Sequence, residues 1–337
     1  MKVLSIALSE ACNLNCTYCN VDKNSKKSID PLIFLEDFKK IRQENPKERI
    51  QVDFYGGEPL LQYNKIKFII ESISDTNVQY YMPTNGLLLD EEKLLFFKKN
   101  NVNISLSYDG LWQTNRKQGN KNISNIYLEK RDFFKTIPNF KIHTMIYPGN
   151  YNLLENHLFL LEYGANANFT LVKDIGVWNN ESVELLKKGI DELVEWYINN
   201  VDNEEIPETL KQYINSVVLF KSKGYIVKSC GAGFDHLSFS ENKIISCNRF
   251  KNEPELEKLI PVFLEMNKCN NCEIKNYCKK GCMYENIKND GPIDEVCEIF
   301  KYFFNKTFYI INKLKTNNRF KELLTNIIKE EYGINQK

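Results

Sequence analysis

The ten cysteines constrain this chain more than any other feature, because only three histidines accompany them and because they fall into two separate groups. Cys12, Cys16 and Cys19 stand near the start. A long stretch without cysteine follows, and then Cys230, Cys247, Cys269, Cys272, Cys278, Cys282 and Cys297 crowd the last third. So many thiols in a chain of 337 residues point to metal or redox chemistry. Dense disulfides belong to small exported domains short of a core, whereas a 42% hydrophobic composition gives this chain enough apolar material for one large α/β domain plus an appendage, or for two modest domains. A reducing, cytoplasmic compartment is therefore expected. The apolar run Val3 to Leu8 is too short for an export signal, and Glu10 interrupts it before Cys12, so it reads as a buried first strand.

Charge excludes two classes of partner. Forty-five Lys and Arg against 44 Asp and Glu leave a net charge of +1, which offers no bulk electrostatic grip on nucleic acid. No apolar run approaches the roughly 20 residues that a membrane-spanning helix needs.

Between the cysteine groups, β-rich runs alternate with helical patterns. Strands are predicted at Val3 to Leu8, Ile50 to Phe54, Val78 to Met82, Val102 to Leu106, Lys141 to Ile146 and Ala167 to Val172. Helices are predicted at Pro31 to Gln43, Asn64 to Ile73, Glu91 to Lys99, Asn125 to Thr136 and Leu153 to Tyr163. Six βα repeats imply a parallel sheet wound right-handedly, open or curled into an incomplete barrel, with its chemistry on loops at the strand C-termini. Cys12, Gly56, Asn85 and Asp109 all follow a predicted strand, which places four motifs on one rim. The expected class is α/β: a partial (β/α)6 TIM-like barrel over residues 1–178, a helical bridge over 179–228 with Trp196, Tyr197, Leu219 and Phe220 as core contacts, a cysteine-rich, loop-rich domain over 229–300, and a C-terminal helix over 301–337 read from the amphipathic run Tyr302 to Glu331.

Three thiolates spaced CxxxCxxC on a loop straight after a strand can ligate three corners of a 4Fe-4S cluster and leave the fourth iron open. A structural zinc loop is the alternative for this motif taken alone. Asp53-Phe54-Tyr55-Gly56-Gly57-Glu58-Pro59, Thr84-Asn85-Gly86 and Ser107-Tyr108-Asp109-Gly110 follow the next three strands in order. With them, the chain resembles the radical S-adenosylmethionine (SAM) superfamily. The resemblance implies SAM as cofactor on the Cys12, Cys16, Cys19 cluster, with Tyr18 against the adenine and Gly56, Gly57, Glu58, Asn85 and Ser107 in the SAM site. It also makes Arg116 a partner for the SAM carboxylate.

The seven later cysteines resemble the SPASM extension of radical SAM enzymes that modify peptides and proteins. That resemblance implies two auxiliary 4Fe-4S clusters, one on Cys230, Cys247 and Cys282, the other on Cys269, Cys272, Cys278 and Cys297; a zinc ribbon is the alternative. Asn242 stands where the extension usually has Gly, a substitution that keeps access to left-handed backbone. The first set is one cysteine short, and Asp235 and His236 are candidates for completing it beside an open or labile site.

The activity implied is radical SAM chemistry on a ribosomally made peptide, forming a thioether, carbon–carbon or ether cross-link, with a flavodoxin or ferredoxin-type reductant. Cys12 comes almost at once, leaving no room before it for a leader-binding module, so a separate leader-binding protein, the bridge or a small substrate is implied. Dehydrogenation of a small molecule and anaerobic sulfatase maturation are the enzyme alternatives, the latter weakened by Asn248 where that subfamily has an Asp base. The non-enzyme alternative is an iron-sulfur electron carrier. Tyr108, Asp109 and Asp174 face the predicted rim, and none is nominated as base.

Overall fold

The computed structural model describes residues 1–23, 27–119, 121–223, 231–232, 235–264, 267–278 and 280–331. Its strands are β1 (Lys2–Ala7), β2 (Ile50–Tyr55), β3 (Val78–Thr84), β4 (Val102–Ser107), β5 (Lys117–Gln118), β6 (Lys121–Asn122), β7 (Lys141–Ile146), β8 (Asn168–Leu171), β9 (His236–Ser240) and β10 (Lys243–Ile245). The chain groups into two units, the first made of Met1–Thr144, Tyr163–Ala165 and Gly231–Glu257.

The first unit carries a sheet in the order β10-β9-β1-β2-β3-β4-β7. From β9 to β7 all neighbours run parallel, and only β10 turns back antiparallel on β9. Parity along the strands separates two faces. Leu4, Ile6, Ile50, Val52, Phe54 and Met82 are fully buried on one side. Helix Pro31–Glu44 presents Phe34, Phe38 and Ile41 at helical spacing, capped by Asp30 with Pro31 in its first turn, and Tyr63–Ser72 buries Ile66, Ile69 and Ile70. Helix Glu91–Lys99 begins on acids, ends on lysines and buries Leu94 and Phe97.

The predicted Asn125 to Thr136 helix is two helices, Ser124–Glu129 and Arg131–Lys135. The break is at Lys130, whose ammonium reaches inward to the carbonyls of Leu87 and Leu89, each at 3.2 Å. Residues 231–257, expected in the cysteine-rich domain, belong by their contacts to the sheet unit, because β9 pairs with β1 in register from Val3–His236 to Ile6–Phe239.

The second unit comprises Met145–Glu162, Asn166–Cys230 and Lys258–Lys337. In it the Val172 N–H donates to Ile146 O at 3.0 Å, beside β8. The expected bridge is two helices, Asn180–Asn200 and Glu208–Lys223, and they form the core of this unit rather than a linker. Gly189 lets the first lie so close that a Cβ there would meet Tyr151 O at 1.8 Å. Tyr197 is buried, Trp196 meets His157 edge-on at 5.2 Å, Leu219 is half-buried, and Phe220 meets Tyr277 at 5.1 Å.

The expected single C-terminal helix is also two, Asp294–Leu314 and Asn318–Glu331. Asn317 divides them, its Oδ1 accepting from Phe320 N–H at 2.9 Å as a new helix cap while its Nδ2 donates to Asp202 at 2.8 Å. The longer helix packs Phe303 flat on Tyr213, centroids 4.5 Å apart, and Asp191 holds Tyr302 and Lys306.

Candidate active site

The loop after β1 that carries Cys12, Cys16 and Cys19 is held by each of the motifs that follow the next three strands. Gly57 N–H donates to Ser9 O and Glu58 N–H to Ala11 O, both at 2.9 Å. The two glycines are needed for that approach: a Cβ on Gly56, at φ +131°, would lie 2.2 Å from Ser9 O, and one on Gly57 would lie 2.1 Å from Ala11 O.

The buried Glu58 carboxylate links this motif to the next one. It accepts from Leu60 N–H, Thr84 Oγ1 and Asn85 N–H at 3.1, 2.6 and 2.9 Å. Burial pushes its pKa up, while those bonds pull the other way. Asn85 Nδ2 donates to Asn13 Oδ1 at 2.8 Å, and Tyr127 O–H donates to Asn85 O at 2.8 Å, fixing the turn from behind.

Further along the loop, Asn15 N–H donates to Lys117 O and Thr17 N–H to Asn115 O. Between those partners lies Arg116, buried and bound through both Nε and Nη2 to Asp109 at 2.9 and 3.0 Å. Tyr18 O–H donates to the same carboxylate, and the guanidinium lies 5.5 Å from the Tyr18 ring centre. The predicted SAM-carboxylate partner is thus engaged with a carboxylate of its own chain. Asp109 accepts hydrogen bonds from Tyr18 O–H and Arg116 Nη2, with Arg116 Nε paired to it by charge. Tyr108 is stacked on Tyr127 at 4.6 Å and pushed up to about 12 by burial, which keeps it neutral. Asp174 sits half-buried after β8 in the second unit, and Ser107 is half-buried at the end of β4.

The N-terminal thiols share one electrostatic environment. Burial raises Cys12, and it raises Cys16 to about 11; Cys19 adds to both shifts, and Arg116 opposes the second. Thiols held protonated in this way need a cation to become ligands, and three on one pinned loop are the soft donor set an iron-sulfur cluster takes.

In the second unit, Cys269, Cys272, Cys278 and Cys297 line one mainly apolar cavity, walled by Ile274, Val296 and Phe300. Burial lifts Cys297 to about 12, with the other three adding to it. No disulfide occurs among the nine described cysteines, and among the described residues no three ligating side chains close on a single-ion site. Cys247 lies in the first unit, Cys282 in the second, and Cys230 outside the described residues. His236 Nε2 lies 2.7 Å from Ser5 Oγ, and Asp235 O accepts from Val3 N–H.

Sequence reading missed the polar face of the sheet. Gln79 Nε2 donates to Gln51 Oε1 at 2.6 Å, Gln51 Nε2 donates to Asp53 Oδ1 at 2.7 Å, and Ser5 bonds the same carboxylate while touching His236. Tyr81 bonds Ser105 one strand further on. Burial raises Asp53 to about 6, against the Gln51 and Ser5 bonds that lower it. With Asp53 ionised, Ser5 donates to it and accepts from His236 Nε2–H, which sets that tautomer. The available signal was parity: Ser5, Asp53, Tyr81 and Ser105 interrupt apolar strands on one face.

Residues 6–150 match the family model of the Radical SAM superfamily, so this part of the chain is a Radical SAM domain. It is 23% identical to the "Radical SAM cyclopropyl synthase TigE" of Paramaledivibacter caminithermalis, over 91% of this chain and 74% of that protein. It is 26% identical to the "Cysteine-type anaerobic sulfatase-maturating enzyme" of Clostridium novyi, over 91% of this chain and 96% of that one. The solved structure of native anSMEcpe with bound AdoMet and Cp18Cys peptide shares the fold, with a TM-score of 0.71 and 19% identity over 92% of this chain and 98% of that one. Among the described residues no helix is long and apolar enough to cross a membrane.

Proposed function

We propose that this radical SAM enzyme modifies a ribosomally made peptide by oxidative cross-link formation, with SAM held on the cluster of Cys12, Cys16 and Cys19 and with auxiliary clusters in the cysteine-rich segment. The observation that carries the reading is the convergence of the three later strand-end motifs on the one loop that carries Cys12, Cys16 and Cys19. Bound there, the cluster and SAM supply a 5′-deoxyadenosyl radical able to take a hydrogen atom from the substrate.

The chain's own residues fix the geometry for that chemistry. Gly56 and Gly57 allow the loop to approach β2, Glu58 and Asn85 brace its first half, and Tyr18, Asp109 and Arg116 brace its second half. Backbone groups of Gly56 and Gly57, the Tyr18 ring, Asn85 and Ser107 are the proposed contacts to SAM. Arg116 would act by holding Asp109 and Tyr18 rather than by reaching the cofactor. The cavity lined by Cys269, Cys272, Cys278 and Cys297 suits the second auxiliary cluster, whereas the set Cys230, Cys247 and Cys282 rests on the resemblance to the SPASM extension. A flavodoxin or ferredoxin-type reductant, a leader-binding partner and a cytoplasmic setting belong to the same proposal.

Similarity along nearly the whole length of a sulfatase-maturating enzyme supports a second reading, oxidation of one cysteine or serine in a protein substrate. Against it stands Asn248, a neutral amide whose Oδ1 is buried without a partner among the described residues. It cannot accept a proton at neutral pH.

The test is 5′-deoxyadenosine formation from anaerobically reconstituted protein with SAM and a strong reductant, Cys16→Ala serving as control. Product that vanishes in the variant is expected; iron-loaded protein yielding none would overturn the reading. Comparing a cysteine-containing sulfatase peptide with cross-linkable precursor peptides as enhancers of yield separates the two substrates.

A further inference from the structure

The segment that follows β9 meets the chain around the N-terminal cysteine loop, residues 10–30, at four places more than two hundred residues apart in sequence. Lys251 Nζ pairs with Glu10, two residues before Cys12, and both side chains are largely buried, 12% and 7% exposed. Glu10 Oε2 is buried and has no other partner among the described residues. With its amide oriented oxygen-first, Asn20 accepts from Arg249 Nε at 2.9 Å, directly after Cys19. Beyond the loop, Asp30 N–H donates to Asn242 Oδ1 at 2.7 Å, and Lys27 pairs with Glu241 at 2.7 Å.

These contacts differ in weight. The Lys27–Glu241 pair is exposed and contributes little. The Glu10–Lys251 pair is buried, and removing either partner leaves the other charge uncompensated. Asn242 holds left-handed backbone at φ +62° and also supplies an acceptor that glycine lacks. Cys247 lies between the two strongest contacts, on the turn that leads from β10 into the short helix Asn248–Asn252.

We propose that residues 241–251 form a latch on the cysteine loop, in which Lys251 and Asn242 are positioning residues that hold the Cys12–Cys19 segment against the Cys247 turn. The order of the loop then depends on the hairpin that carries a cysteine of the other group. This rests on reading the loop as the cluster loop. Deoxyadenosine formation by the wild-type chain tests that reading, whereas amide exchange reports on the latch whatever the wild type produces.

The experiment is hydrogen exchange by mass spectrometry on the full reconstituted chain, with the electron paramagnetic resonance signal of the reduced protein before and after addition of SAM. In Lys251→Met, exchange over residues 11–20 is expected to rise about tenfold, with helix Asp294–Leu314 unchanged. The SAM-dependent change in the signal should weaken in parallel. Lys251→Arg should restore both, because it returns a cation to Glu10. Unchanged exchange over 11–20 in a folded Lys251→Met chain overturns the latch. If that variant fails to fold, Asn242→Gly decides, since it keeps the turn and removes only the acceptor. Faster exchange over 11–20 and 28–31 supports the latch, and wild-type exchange there rejects it.

Discussion

At the scale of single residues, Asp53 on β2 and Asp109 after β4 differ in the partners that their carboxylates find. Asp109 is fully buried and bound by Arg116 and Tyr18, so its charge is compensated on the spot. Asp109→Asn removes one side of this pair and strands the guanidinium, and we predict a loss of about 3–5 kcal/mol in unfolding free energy, measured by urea denaturation. Asp53 has only neutral donors, and burial raises its pKa from 3.8 to about 6. A carboxyl whose folded pKa lies above its unfolded value contributes stability that is full below about pH 4 and is lost as pH rises through about 6. Asp53→Asn should therefore be more stable than the parent at pH 7.5 by on the order of 1–3 kcal/mol, and its advantage should vanish at pH 3.5. Denaturation midpoints at the two pH values check this, and equal midpoints at pH 7.5 would refute it. Which tautomer His236 adopts follows from the same proton, since Ser5 stands between them.

At the scale of elements, the strand-end turns do more than expose residues to a rim. The Gly56-Gly57 pair reads in sequence as an approach to a cofactor, and in the structure its close approach is to the backbone of Ser9 and Ala11. Gly57→Ala places a methyl group 2.1 Å from Ala11 O, an atom that cannot move without shifting the loop. We predict a destabilisation above about 2 kcal/mol and loss of iron from the N-terminal site, read by denaturation and by iron analysis. Strand periods and the helix starts at Pro31 and Glu91 were legible because caps, proline and apolar spacing are local signals. The breaks at Lys130 and Asn317 were not, because each depends on a side chain finding a distant partner: the carbonyls of Leu87 and Leu89 for one, Asp202 for the other.

At the scale of the whole molecule, the two cysteine groups predict separable metal contents. If the N-terminal site and two auxiliary sites each take four irons, the reconstituted chain holds roughly twelve, and Cys297→Ala and Cys16→Ala each lose about four while leaving the other sites loaded. Iron and sulfide analysis of the two variants measures this. A Cys297→Ala chain that keeps its full iron would remove the cavity lined by Cys269, Cys272 and Cys278 from the list of cluster sites.

The sequence by itself determined the class of chemistry and the positions along the chain of the sheet strands β1, β2, β3, β4, β7 and β8, because thiol spacing, strand parity and turn residues act over a few positions and carry their meaning locally. It also placed the four motifs at strand ends. Tertiary structure alone decided what those motifs hold. Arg116 meets Asp109 instead of standing open, β9 returns to β1 across most of the chain, and Lys251 reaches Glu10. The last two join distant segments, and all three are selected by the cost of leaving a charge or a backbone donor buried without a partner, which no local pattern records.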